Sequence, residues 1–287
     1  MKNRDRDQRQ RRDQRETHVR TQAADVRKTP SLPSEAAAKA PPVRREASRA
    51  PAGLSRIFGF HSVAAALSSP RRELVKLYAT PAAAARLAPD IERRHVPVEI
   101  LSPEEIDRVA PREAVHQGVV LDAHPLPPVS IDSLPENGLV LVLDQVSDPH
   151  NVGAILRTAA AFGVDALVTT ERHSPEFDGT VAKAASGGVE FVPIAVVPNL
   201  ARALSDLGDL GYWRIGLDSE APGALTEARL ERPLALVLGA EGKGLRRLTR
   251  ERCDALARLD LPGPIKSLNV SNACAVALTL AAKTPPR

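Results

Sequence analysis

The chain carries only two cysteines in 287 residues, Cys253 and Cys274, and neither belongs to a CxxC pair or a Cys/His cluster. That excludes a disulfide framework and a structural zinc site, and the expectation is a reduced, cytoplasmic protein that needs no metal. No apolar run approaches the roughly 18 residues of a membrane span, and no apolar segment follows the N-terminal charges in the manner of a signal peptide. Aromatic residues make up 3% of the chain, and Phe58 and Phe60 are the one close pair, which core packing explains as well as base stacking does. Most of the chain also lacks a positive surplus. The net charge is +4, yet residues 1–50 hold 14 Lys+Arg against 7 Asp+Glu, while residues 51–287 hold 25 against 28. Affinity for nucleic acid through net charge is therefore confined to the tail and to local patches.

The length suffices for one large domain or two smaller ones. Residues 1–52 alternate Arg, Asp and Gln and then turn to Ala and Pro. Such a segment buries too little surface to offset its ordering entropy, so a disordered basic tail is expected. It serves either as a solubilising extension or as an arm that meets RNA phosphates, and its acidic residues argue against a mitochondrial transit peptide. Residues 53–123 read as a small α/β unit. Its strands are expected near 75–79, 98–101 and 119–121, and its helices near 64–67, over 81–87 and from Ser102, where a capping residue precedes proline and two acids. Residues 124–138 hold four prolines and no helical period, and read as a linker.

Beyond it, over 139–287, strand and helix alternate. Strands are expected at Leu139–Val146, Ala166–Thr169, Phe191–Val197, Trp213–Leu217, Leu234–Leu238 and Ala255–Leu261, with helices at Val152–Phe162 and Val270–Lys283. This pattern implies a parallel sheet covered on both faces. In such sheets ligands bind at the carboxyl ends of the strands.

Three stretches at such ends combine chemistry-bearing residues. In the first, Asn151 stands where a helix cap belongs, and Arg157 follows among alanines too small to cover a guanidinium. In the second, Gly239-Ala240-Glu241-Gly242-Lys243-Gly244 follows a buried strand. It has neither the GxGxxG nor the P-loop spacing, and a carboxylate between glycines exceeds what a plain turn requires; a nicotinamide-linked dehydrogenase is excluded because the first βα turn lacks its glycines. In the third, a Pro-Gly-Pro turn leads to Ser267, Asn269 and Ser271, one of which caps the last helix, and the set suits a ligand with base edges and ribose hydroxyls.

In this order, Asn151–Gly163 (NVGAILRTAAAFG), Gly239–Leu245 (GAEGKGL) and Ser267–Ala273 (SLNVSNA) resemble the three motifs of the SpoU group of the SPOUT superfamily. These are S-adenosyl-L-methionine-dependent RNA ribose 2′-O-methyltransferases. The resemblance covers roughly residues 55–285 and extends to the members that modify a guanosine of large-subunit ribosomal RNA. It implies an α/β parallel sheet with a C-terminal trefoil knot, preceded by a small RNA-binding domain, in a homodimer whose active sites combine residues of two subunits. By the same resemblance Leu238, Gly239, Gly242, Leu261, Ile265, Ser267 and Leu268 hold the cofactor. Arg157 assists methyl transfer, with Asn151, Glu241, Ser267 and Asn269 arranging the site. A guanidinium is a poor base, so an electrostatic role suits Arg157 better than proton abstraction. Positive charge for RNA is locally supplied by Arg246, Arg247, Arg250 and Arg252, and by Arg71, Arg72, Arg93 and Arg94. The sequence departs from the family at Leu259-Asp260-Leu261, where Ile-Pro-Met is usual, and Asp260 is expected beside the cofactor pocket. A tRNA substrate is the alternative within the same chemistry. A non-catalytic RNA-binding paralogue is the alternative outside it, disfavoured by the joint presence of Asn151, Arg157, Glu241 and Asn269.

Overall fold

The computed structural model describes residues 50–112, 114–177 and 179–283. The tail expected over 1–52 therefore lies, up to residue 49, outside the described residues.

Strands Ser55–Phe58 (β1), Leu74–Ala79 (β2), Val98–Ile100 (β3) and Val119–Ala123 (β4) form a mixed sheet in the order β1-β4-β2-β3. Helices Phe60–Ser68 (α1), Pro81–Arg94 (α2) and Pro103–Val109 (α3) connect them. The Ser102 side chain accepts from the Glu105 amide while Glu105 returns a carboxylate oxygen to the Ser102 amide, a complete capping box at the start of α3. Helix α2 is twice as long as expected: it continues through Pro89 to Arg94, with Leu87 buried and Ile91 packed on the core.

The second sheet is parallel throughout. Leu139–Asp144 (β5), Ala166–Thr170 (β6), Ile194–Val197 (β7), Trp213–Leu217 (β8), Gly223–Ala224 (β9), Leu234–Gly239 (β10) and Ala255–Arg258 (β11) lie in the order β7-β6-β5-β10-β8-β11-β9. Strand β5 shows why this stretch is a central strand. All its residues are buried, and alternate side chains serve opposite faces. Leu139, Leu141 and Leu143 join one core; Val140 and Val142 join another with Leu200, Leu204 and Leu207 of helix Leu200–Asp209 (α6).

Several expected bounds are corrected, and the strands placed at Leu139–Val146 and Ala255–Leu261 end at Asp144 and Arg258. The helix placed at Val152–Phe162 begins earlier, as Pro149–Ala161 (α4), and its cap is Asp148, whose Oδ1 accepts from the His150 amide at 2.9 Å. Proline at the first helical position fixes φ for helix entry, which moves the cap ahead of Asn151 and leaves that side chain free. The strand placed at Phe191–Val197 starts only at Ile194, because Gly188–Glu190 forms a 3₁₀ turn and Phe191 projects outward.

That turn, with helix Gly179–Ala184 (α5), joins the two sheets. Glu190 meets Arg72, in the turn between α1 and β2, in an ion pair of 2.6 Å, with both side chains 2% exposed. Arg72, expected to contact RNA, is thus corrected to a buried structural cation. Ser62 donates from Oγ to the Ala182 carbonyl at 2.9 Å, and a Cβ placed on Gly187 would run into Ala65. One apolar core continues across the junction, from Ile57, Leu67 and Leu77 to Val189, Leu156 and Leu141.

Candidate functional site

The central strands β5 and β10 end side by side, with Asp144 opposite Gly239. Asp144 is fully buried and accepts from Arg246 twice, from the amide at 2.9 Å and from Nε at 2.6 Å. The loop that leaves β10 is thereby tied down at its far end. It folds back on itself through the Gly244 amide, which donates to the Ala240 carbonyl at 2.9 Å. Gly242 and Gly244 take φ of 73° and 63°, a backbone region that side chains disfavour, and any Cβ on Gly239 would strike Gly244.

Helix Val270–Ala282 (α8) begins at Asn269, whose Oδ1 accepts from the Ser271 amide at 2.9 Å and from the Ser271 hydroxyl at 2.6 Å. Capping occupies the carbonyl end of this amide and leaves Nδ2 to donate elsewhere. It donates to Asn151 Oδ1 at 2.9 Å and to Glu241 Oε1. Asn151 in turn donates to Glu241 Oε1 at 3.1 Å and to Asp148 at 3.3 Å. One residue from each of the three stretches therefore meets in a single hydrogen-bonded cluster.

Beside the cluster lies a cleft of about 610 Å³. Its walls include Leu238, Gly239, Gly242, Leu261, Ser267 and Leu268 of the residues read as cofactor contacts, together with Glu241 and Asn269. Ile265 is the exception. It is 73% exposed and not among the lining residues, since the turn it occupies points it to solvent. Sequence reasoning missed Leu217, Asp218 and Ser219, which also line the cleft. Leu217 ends β8 and the other two follow it directly, so the rule that ligands sit at the carboxyl ends of strands was the available signal. Asp218 pairs with Arg250 at 2.6 Å, whereas Asp260, expected at the pocket, pairs with Arg258 at 3.1 Å and does not line it.

The arginines divide sharply. Arg246 is committed to Asp144, Arg250 to Asp218, and Arg247 to Glu251 on helix Arg247–Glu251 (α7). Arg246 stands ahead of α7 as its capping residue, while Arg247 and Arg250 lie on the helix itself. Arg93 pairs with Asp90, and Arg94 donates to the carbonyls of Ser69 and Arg72. Arg71 is exposed. Arg157 is exposed too, donates to Ser186 Oγ at 3.3 Å, and stands outside the wall of the cleft.

Among the described residues, no group of His, Cys, Asp and Glu is arranged to hold a metal ion, and no helix is long and apolar enough to cross a membrane. Burial pushes both thiols, Cys253 and Cys274, up to about 12, which removes them as nucleophiles near neutral pH.

The sequence matches the model of the SpoU rRNA Methylase family over residues 138–279, and that of the RNA 2′-O ribose methyltransferase substrate-binding region over 56–129. It is 46% identical over 190 residues to the 23S rRNA (guanosine-2′-O-)-methyltransferase RlmB of Pseudomonas aeruginosa, covering 64% of this chain and 76% of the relative. Against the RlmB of Pasteurella multocida, identity is 40% over 233 residues, covering 77% of this chain and 95% of the other. In fold it is similar to the SpoU methyltransferase AviRb of Streptomyces viridochromogenes, solved with the cofactor AdoMet, at a TM-score of 0.70, 20% identity, and coverage of 81% of this chain and 90% of that one. With a parallel sheet whose three motif loops gather at one cleft, and with relatives matched along both sheets, the chain belongs to the SpoU rRNA methylase family.

Proposed function

We propose that the chain transfers a methyl group from S-adenosyl-L-methionine to the ribose 2′-hydroxyl of a guanosine in 23S ribosomal RNA. The observation that carries this reading is the cluster of Asn151, Glu241 and Asn269 at the mouth of a glycine-walled cleft. The cleft suits the cofactor chemically. Leu238, Leu261 and Leu268 offer an apolar seat for an adenine, the close backbone at Gly239 and Gly242 offers amides and carbonyls, and Ser267 offers a hydroxyl. Bound there, S-adenosyl-L-methionine supplies an electrophilic methyl group.

The side chains of the chain do the rest. Both amides of the cluster meet Oε1 of Glu241, which leaves Oε2 for the ribose hydroxyl and its proton. The Arg157 guanidinium stabilises the alkoxide as it develops, or holds the adjoining phosphate. Because Arg157 stands outside the cleft of its own chain, the reading includes a homodimer in which Arg157 of the partner subunit completes the site. It also includes a trefoil knot. The insertion of β10 between β5 and β8, with α8 returning against α4, supports that topology. The small unit at 53–123, the linker at 124–138 and the methyltransferase unit at 139–287 stand as proposed boundaries, and the cytoplasm, where ribosomal RNA is made and modified, as the proposed location.

Incubation with labelled S-adenosyl-L-methionine and separate rRNA and tRNA pools tests the reading. The expected product is a guanosine of large-subunit rRNA that resists alkaline cleavage at its 2′ position. Label in tRNA overturns the substrate, and label on base atoms overturns the reaction.

A further inference from the structure

The arginines that looked available for RNA are mostly neutralised by carboxylates, yet another set of cations is not. Lys183 on α5 donates from Nζ to Gln117 Oε1 at 3.0 Å, and the same oxygen accepts from the Phe60 amide at 3.0 Å. The Lys183 stem lies in the space that a side chain at residue 59 would fill: Gly59 has φ 88°, and a Cβ there would run into the lysine. A neutral amide thus aims the ammonium without discharging it. Arg86, exposed on α2, rests its guanidinium 3.7 Å from the centroid of the Phe60 ring. Arg157 donates to Ser186 Oγ at 3.3 Å, and the Ser186 amide donates to the Lys183 carbonyl at 3.1 Å. Arg157, Lys183 and Arg86 are thereby linked in sequence through Ser186, Gln117 and Phe60. The side-chain partners given for the three are neutral, and no ion pair with a carboxylate forms at any of them among the described residues.

We propose that these groups form a track for single-stranded RNA leading from Arg157 to the four-stranded sheet, an inference that rests on the RNA-methylating reading. Lys183 takes a backbone phosphate, for which a point charge with three rotatable donors is suited. Arg86 offers the outer face of its guanidinium to an unpaired base, with Phe60 holding the inner face flat. The neutral partners matter physically. A cation already joined to a carboxylate has to give up that partner when RNA arrives, whereas these three lose nothing but water.

The test uses the full-length protein and a 23S rRNA transcript, and measures RNA affinity across a salt series, KM and kcat for methyl transfer, and affinity for S-adenosyl-L-methionine. Arg86→Ala and Lys183→Met are each expected to raise the RNA Kd and KM by about fivefold or more, with kcat and cofactor affinity unchanged. Lys183→Met is also expected to flatten the salt dependence by about 0.7 in log–log slope. Arg202→Ala, which removes an exposed charge from α6 away from the track, is expected to change none of these. Should Lys183→Met lower thermal stability, Arg86→Ala decides, since its side chain is exposed and its contact with the Phe60 ring is a surface pair that contributes little to folding. RNA Kd and KM within about twofold of wild type in both variants overturn the track. A wild-type protein that binds the transcript but transfers no methyl group overturns the methylation reading instead, and the Kd values still decide the track.

Discussion

Glu190 and Glu241 are the same residue type in opposite circumstances. Glu190 is buried at the junction of the two sheets and faces the guanidinium of Arg72 through contacts of 2.6, 3.1 and 3.2 Å. Glu241 is exposed at a cleft mouth and meets only the neutral amides of Asn151 and Asn269 in the contacts described. A buried charge persists only with an opposite charge against it, so the first arrangement is a fastening. An exposed carboxylate held by two neutral donors on one oxygen retains lone pairs for a further partner, as the proposed role of Glu241 requires. Polar clusters in this fold are thus sorted by what satisfies them.

Four measurements sharpen or break that contrast. Glu190→Ala leaves the Arg72 guanidinium buried and unpaired, so urea unfolding is expected to show a loss of about 3–5 kcal/mol. A loss under about 1 kcal/mol would place Glu190 with the exposed groups. Arg157→Ala is expected to lower methyl transfer by about 10²–10³-fold while cofactor affinity holds in a calorimetric titration; lost cofactor affinity would contradict the electrostatic role. Glu241→Ala is expected to lower transfer by about tenfold or more, with unfolding free energy within about 0.5 kcal/mol of wild type. A large destabilisation would erase its difference from Glu190.

The smallest effect belongs to an intermediate case. Asp254 accepts from Arg214 Nε at 2.8 Å and Nη2 at 2.6 Å, and this pairing holds its carboxyl below the ordinary range. A carboxyl with a lowered folded-state value stabilises above its unfolded value, near pH 4, and loses that contribution as pH falls through the lowered one. The pair is partly open to solvent, which limits it to about 1 kcal/mol or less. Asp254→Asn is therefore expected to be slightly less stable than wild type at pH 7 and equal to it at pH 2, in parallel thermal melts.

How much was legible before the structure depended on whether a residue's role is local. The run Leu139–Asp144 could hardly be anything but an interior strand, and the glycines at 239, 242 and 244 announce a bend at a strand end. Ser102 and Glu105 cap α3 through neighbours three residues apart. Roles that depend on distant partners were illegible. Nothing near Arg72 in the chain signals Glu190, 118 residues on. Nothing near Arg246 signals Asp144, 102 residues back. Asp218 follows a recognisable strand, which marks it as a candidate, but it carries no glycine or amide pattern that singles it out from the other strand ends. Arginine is the least readable type here, because a guanidinium serves equally as a fastener or as a contact for RNA, and its spacing does not tell which.

The close approach of Gly187 to Ala65 leaves no room for a side chain between the two sheets at that point. Swinging one sheet against the other has to open that backbone approach and part Arg72 from Glu190 in the same movement. Whatever spans both halves is gauged as if by fixed callipers, and a mismatch in its dimensions has to be absorbed by the visitor.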